Sequence, residues 1–295
     1  MTWWCSARDV AWTWSWQAYP GVWLFVAILV GLYITVIVRL RGRGSGRGMH
    51  APLPDRAVRP WHVAYFGLGI IALWIATDWP LGALGAGYLL SVHTIQYLLY
   101  TFVAPPLILL GLPRWLPLVL ERRPALWRVL QILARPIVAL LIVDAVLLVS
   151  HLPPVVDGFR RSQFGSFTID LVWLLAGLIM WWPVMAPRPE AGRLSEPWKI
   201  GYLFITTIVP TVPAAFFAFA NFPIYALYEL APRVGGIASG ADQQAAGLLM
   251  KAGDPIVWLA MLVVFIRWSI REAEVDKLEL AEHRRAASSG GAQPR

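Results

Sequence analysis

The sequence predicts an all-α, polytopic membrane protein with seven transmembrane helices, the N-terminus outside and the C-terminus cytoplasmic. Three observations carry that prediction. The 295 residues are 58% hydrophobic and only 14% charged, whereas a soluble domain carries about 25% charge. Seven apolar stretches, at 20–40, 60–79, 88–111, 136–152, 167–186, 200–220 and 254–270, have the length for a bilayer, which takes roughly 20 residues at a 1.5 Å rise. The connections after the first, third and fifth stretches, with the C-terminal tail, hold 20 of the 25 Lys and Arg; Arg8, Arg160, Arg161, Arg233 and Lys251 are the rest. Cytoplasmic loops concentrate Lys and Arg, so this partition sets the orientation. It also accounts for the net charge of +8 without nucleic acid, because the charge anchors topology and meets anionic membrane lipid.

Taken in order, residues 1–18 are an N-terminal interfacial segment. They lack the basic start and unbroken apolar run of a cleaved signal, and the Trp at 3, 4, 12, 14 and 16 suit a membrane-interface belt. The single Cys5 cannot form an internal disulfide. The transmembrane domain covers 19–271. Its first span ends in a basic, Gly-rich linker, RLRGRGSGRG. The third span lies within YLLSVHTIQYLLYTFVAPPLILLGLP (Tyr88–Pro113). His93, Gln96, Tyr97 and Tyr100 stand there at i, i+3, i+4 and i+7, on one helical face. Pro105 and Pro106 should bend or unwind the same helix. The following RWLPLVLERRPALWRVLQILARP reads as a basic amphipathic segment on the membrane surface.

The fourth span carries Asp144 near its middle and His151 at its outer end, followed by Asp157 in HLPPVVD. Asp170 sits early in the fifth span, which leads into RPEAGRLSEPWK. Pro210 and Pro213 should kink the sixth. ADQQAAGLLMK, with Asp242, Gln243, Gln244 and Met250, leads into the seventh. Residues 272–295 form a charged cytoplasmic tail, helical at first and then disordered over AASSGGAQPR. His50 and His62 fall on the inner side, and His283 lies in the tail.

Polar side chains inside a bilayer face the bundle interior, where they find partners. Here they gather in the outer half, and each has two readings. His93 with Gln96 fits an interhelical hydrogen bond or a metal or proton-handling role. His151 fits a helix-end hydrogen bond or a ligand. Asp157 reads as a turn residue. Asp170 needs a partner such as His151 or Arg160, or a cation. Asp242, Gln243 and Gln244 fit helix capping or the wall of a pocket that also contains His93, Gln96, His151 and Asp170. Met250 is packing or ligand.

These residues resemble the CtaG-type cytochrome c oxidase assembly family, seven-span bacterial membrane proteins. The similarity covers about 14–270. It rests on a Trp-rich entry, ATDWPLG, an H-x-x-Q followed by APPLILLGLP, then HLPPVVD, LLAGLIMWWPV and ADQQAAGLLM, in that order. The resemblance implies a multi-pass protein of the bacterial cell (inner) membrane, a partner among oxidase subunits or other assembly factors, and copper as cargo for the outward-facing copper centre of the oxidase. It implies His93 and His151 as ligands, to which this chain adds Met250 as a third, with Gln96, Tyr97, Asp157, Asp170, Asp242, Gln243 and Gln244 around them. The chain departs from the family pattern where Tyr97 replaces a second His and Ile169-Asp170 replaces Glu-His. Carboxylate is a harder ligand than imidazole and disfavours Cu(I).

The alternatives are a metal-free scaffold for oxidase biogenesis and, from another class, a small-molecule transporter. The transporter reading lacks an internal repeat. A retinal protein needs a lysine in the middle of the seventh span, and the sequence places Lys251 at its outer end. Nucleotide-binding glycine loops, H-E-x-x-H and a nucleophile elbow are all absent from the sequence, so an enzyme is not expected.

Overall fold

The computed structural model describes residues 2–42, 58–113, 121, 123–186 and 194–290, and among these it is all-helical, with no strand. Six helices are long and apolar enough to cross a membrane, or seven if one bent pair is counted as a span.

Helix α1 (Pro20–Gly42) is the first span and α2 (Pro60–Thr77) the second. Both begin with Pro, whose missing N–H costs nothing in a first turn. The chain then folds into a short helix, α3 (Leu81–Gly87), of which six residues are buried. The third span is broken into α4 (Leu90–Leu98), a π-helical turn at Leu99–Val103, and α5 (Ala104–Gly111). Pro105 and Pro106 donate no backbone N–H, so the ladder into the preceding residues is interrupted. The wider π turn carries the chain past that gap. The bend expected at the two prolines is therefore present as a change of helix type.

Helix α6 (Pro124–Leu133) buries no residue and meets α7 (Pro136–Ser150) at 73°, as a helix lying along a membrane surface before a span would do. Helix α8 (Pro153–Phe159) is a short cap, and α9 (Gln163–Met185) is the fifth span. The Ser162 hydroxyl caps α9 by accepting from Gly165 N at 3.0 Å. The sixth span is α10 (Glu196–Thr206) and α11 (Thr211–Phe219), separated by a turn at Thr207–Pro210. Helix α12 (Ala226–Leu230) lies in the next connection. Helix α13 (Ser239–Lys251) then runs through Ala252–Gly253 into α14 (Asp254–Gly290).

This last pair corrects the seventh span, whose start was expected at 254. The helix begins at Ser239, and the ADQQ segment belongs to it. Gly247 allows this: its Cα faces α11, where a Cβ would stand 2.6 Å from Ala218 N. Helix α13 can therefore pack within the bundle against α11 and α4. Helix α14 persists to Gly290, where a disordered tail was expected from 286. Residues 291–295, His50, and most of the basic linkers lie outside the described residues.

Four segments meet at one end of the bundle: 2–19, 78–89, 151–162 and 220–238. Bonds between distant parts of the chain join them. Ala7 N donates to Arg160 O at 2.8 Å, Tyr88 OH to Val10 O at 3.0 Å, and Tyr228 OH to Gly85 O at 2.7 Å. The N-terminal segment only partly matches an interfacial belt. Trp14 and Trp16 are exposed, but Trp4 and Cys5 are buried.

Candidate functional site

The polar face of α4 fans out because successive residues are about 100° apart. Gln96 and Tyr97 therefore point to different neighbours. Gln96 Nε2 turns toward the second span and donates to Ala76 O at 2.7 Å. Gly85 makes room for it, since a Cβ there would collide with the Gln96 amide. His93 and Tyr97 turn the other way, toward α7 and α9. Their ring centroids lie 5.0 and 5.4 Å from that of Trp173.

His151 ends α7. Its Nδ1 lies 2.8 Å from Leu147 O and 3.2 Å from Ser150 Oγ, and its backbone carbonyl accepts from Tyr225 OH at 2.7 Å. Ser150 Oγ also accepts from Trp173 Nε1 at 2.9 Å. These bonds fix the imidazole. The ring centroids of His93 and His151 are 5.9 Å apart. Both nitrogens of His93, and Nε2 of His151, are buried and make no hydrogen bond of good geometry among the described residues, although His93 also interacts with the Gly85 backbone.

A charged pair stands against the same tryptophan. Arg160 is fully buried, with its guanidinium carbon 5.1 Å from the centroid of a Trp173 ring. Its Nη1 is 2.9 Å from Asp170 Oδ1, and Asp170 Oδ2 accepts from Trp4 Nε1 at 2.8 Å. The partner Asp170 requires is thus Arg160, together with the N-terminal segment. Cys5, next to Trp4, donates to Thr77 O at 3.2 Å. Burial pushes its thiol well up, with the Asp170 and Asp78 carboxylates adding to the effect, so the thiolate is scarce at neutral pH.

The remaining candidates are placed elsewhere. Asp157 caps α12 by accepting from Ala226 N at 3.2 Å and Leu227 N at 3.0 Å. Asp242 caps α4, accepting from Leu90 N at 2.6 Å, Ser91 N at 3.2 Å and the Ser91 hydroxyl. Gln243 accepts from Ile224 N at 2.9 Å and donates to Phe222 O at 3.2 Å. Gln244 is exposed, and Met250 is buried in the hydrophobic core. His62 sits at the start of α2, where its Nδ1 accepts from Arg59 N at 3.2 Å, and His283 is exposed on α14.

The structure therefore brings His93, His151 and, through Trp173 and Arg160, Asp170 together. Gln96 and Gln243 bond elsewhere. Among the described residues no group of three or more His, Cys, Asp or Glu could hold a metal ion. The sequence reading gives a role only to the tryptophans at 3, 4, 12, 14 and 16 and so misses Trp173. The available signal was spacing: Trp173 follows Asp170 by three residues and shares its face. Tyr228 was also missed. Its ring centroid is 5.7 Å from that of His93, and it lines a small cleft with Leu90, Pro223, Tyr225 and Gln243.

Fold and site together define a multi-pass membrane protein with a buried, aromatic-walled histidine pair. The chain belongs to the cytochrome c oxidase caa3 assembly factor family, whose model matches residues 11–272. No curated protein and no solved structure matches the chain.

Proposed function

We propose that this assembly factor holds a copper ion between His93 and His151 and presents it to an oxidase subunit on the outer side of the membrane. One observation carries the reading: two buried imidazoles, 5.9 Å apart, with three ring nitrogens that make no hydrogen bond of good geometry. A metal bonded to one nitrogen of each ring at roughly 2 Å places facing ring centres about 6 Å apart. The bond from His151 Nδ1 to Leu147 O leaves Nε2 as the ligand atom, the arrangement usual for a metal-bound histidine. The distribution of Lys and Arg supports an outward site.

The test is copper content of the purified protein after loading with Cu(I). The expected result is about one copper per chain, lost in His93→Gln and in His151→Gln with folding retained. Folded wild-type protein that takes up no copper overturns the reading.

The metal-free scaffold has its own supporting observation. The fully buried Arg160 places positive charge beside the ring pair, which opposes a cation to the extent that Asp170 does not balance it. On that reading His93→Gln and His151→Gln leave oxidase assembly unchanged in cells.

A further inference from the structure

We propose that the surface around Lys251 docks a transmembrane helix of another polypeptide, one that presents a carboxylate or amide side chain at the same depth. The proposal is independent of the copper reading.

Lys251 and Asp254 flank the break between α13 and α14, and Thr211 follows the break in the sixth span. Lys251 Nζ donates to Thr211 Oγ1 at 2.9 Å and pairs with Asp254. The lysine side chain is 41% exposed and that of the aspartate 9%. Helix rise gives the depth. Gln243 is bonded to the loop at the N-terminal end, and Lys251 lies about 12 Å along the helix from it at 1.5 Å per residue. Arg271, bonded to Glu196 at the opposite end, lies about 30 Å further on. The sum matches a bilayer with its headgroups, about 40–45 Å, so Lys251 stands within the hydrocarbon layer and not at the outer end of the span, where the sequence alone places it. Asp254 holds its ammonium one turn deeper, away from the nearer surface.

Such a group is costly facing lipid, which offers it no acceptor. An ammonium has three donors, and Thr211 and Asp254 take two of them. The third is left open on a side chain that is 41% exposed, and Leu248, one turn before Lys251 on the same face of α13, is an exposed apolar residue. An acceptor on a neighbouring helix would complete the set. A second copy of this chain fits poorly, because a two-fold contact through this face sets Lys251 against Lys251.

The experiment places a benzophenone amino acid at Leu248 in cells that assemble the oxidase, with Ile137, exposed on α7, as the control position. The expected result is a Leu248 adduct whose cross-linked peptide maps to an apolar segment containing Asp, Glu, Asn or Gln. The adduct should persist in Lys251→Arg and fall at least tenfold in the double variant Lys251→Met with Asp254→Asn, which strands no lone charge. An adduct to lipid alone, to a second copy of the chain, or to an apolar segment without such a residue overturns the proposal, and does so even if the double variant fails to fold. Yield indifferent to Lys251 in a folded double variant also overturns it.

Discussion

Asp170 shows how a single residue can leave one role for another. A histidine at this position would suit a metal. The carboxylate instead neutralises a guanidinium with no exposure of its own, and fastens Trp4. Removing one partner of a buried ion pair costs about 3–5 kcal/mol, whereas replacing both with apolar groups is often neutral. Asp170→Asn should therefore lower the thermal unfolding midpoint in detergent sharply, and Arg160→Met with Asp170→Leu should recover most of the loss. Equal losses in the two variants would show that the pair does not act as a unit. The need for a partner was legible in the sequence, because a carboxylate near the start of a span cannot stand alone. The closeness of His93 and His151 was legible too, from their common depth. The central place of Trp173 was not, because apolar residues within a span look alike until one helix is set against another.

At the scale of elements, the sequence defines where the helices lie better than how they break. The proline pair predicted a disturbance in the third span, but its form as a π turn depends on what packs there. Gly177 of α9 presses on this turn: a Cβ at that position would lie 2.6 Å from Pro105 Cγ and 2.8 Å from Thr101 O. Gly177→Leu should cost about 1–3 kcal/mol, as overpacking usually does, and lower the same thermal midpoint. An unchanged midpoint would mean that the two helices can separate freely. The seventh span was misplaced because polar ADQQ reads as a loop before the helix. Its polar groups are in fact spent on neighbours: Asp242 on the start of α4, and Gln243 on the loop before α12. That use depends on tertiary contacts, which no periodicity reveals.

For the whole molecule, the distribution of basic residues sets an expected orientation that labelling can check. Cys5 is unsuitable as the reporter, being buried. Ser15 and Glu282 are exposed at the two ends of the chain. In a Cys5→Ser background, Ser15→Cys should react with a membrane-impermeant maleimide in intact cells, and Glu282→Cys only after lysis. The reverse pattern would invert the topology, and with it the side of the membrane nearer to His93 and His151.

The latch between Trp4 and Asp170 also has a meaning in time. Its two ends are separated by 166 residues, and a ribosome adds roughly 5–20 residues per second. Trp4 therefore waits roughly ten to thirty seconds for the span that will receive it. Through that interval Trp4 lacks its carboxylate acceptor, and the histidine end of the bundle has neither Trp173 nor its N-terminal closure. That end of the bundle therefore matures only after its fifth span is made, although the segment that closes it is translated well before.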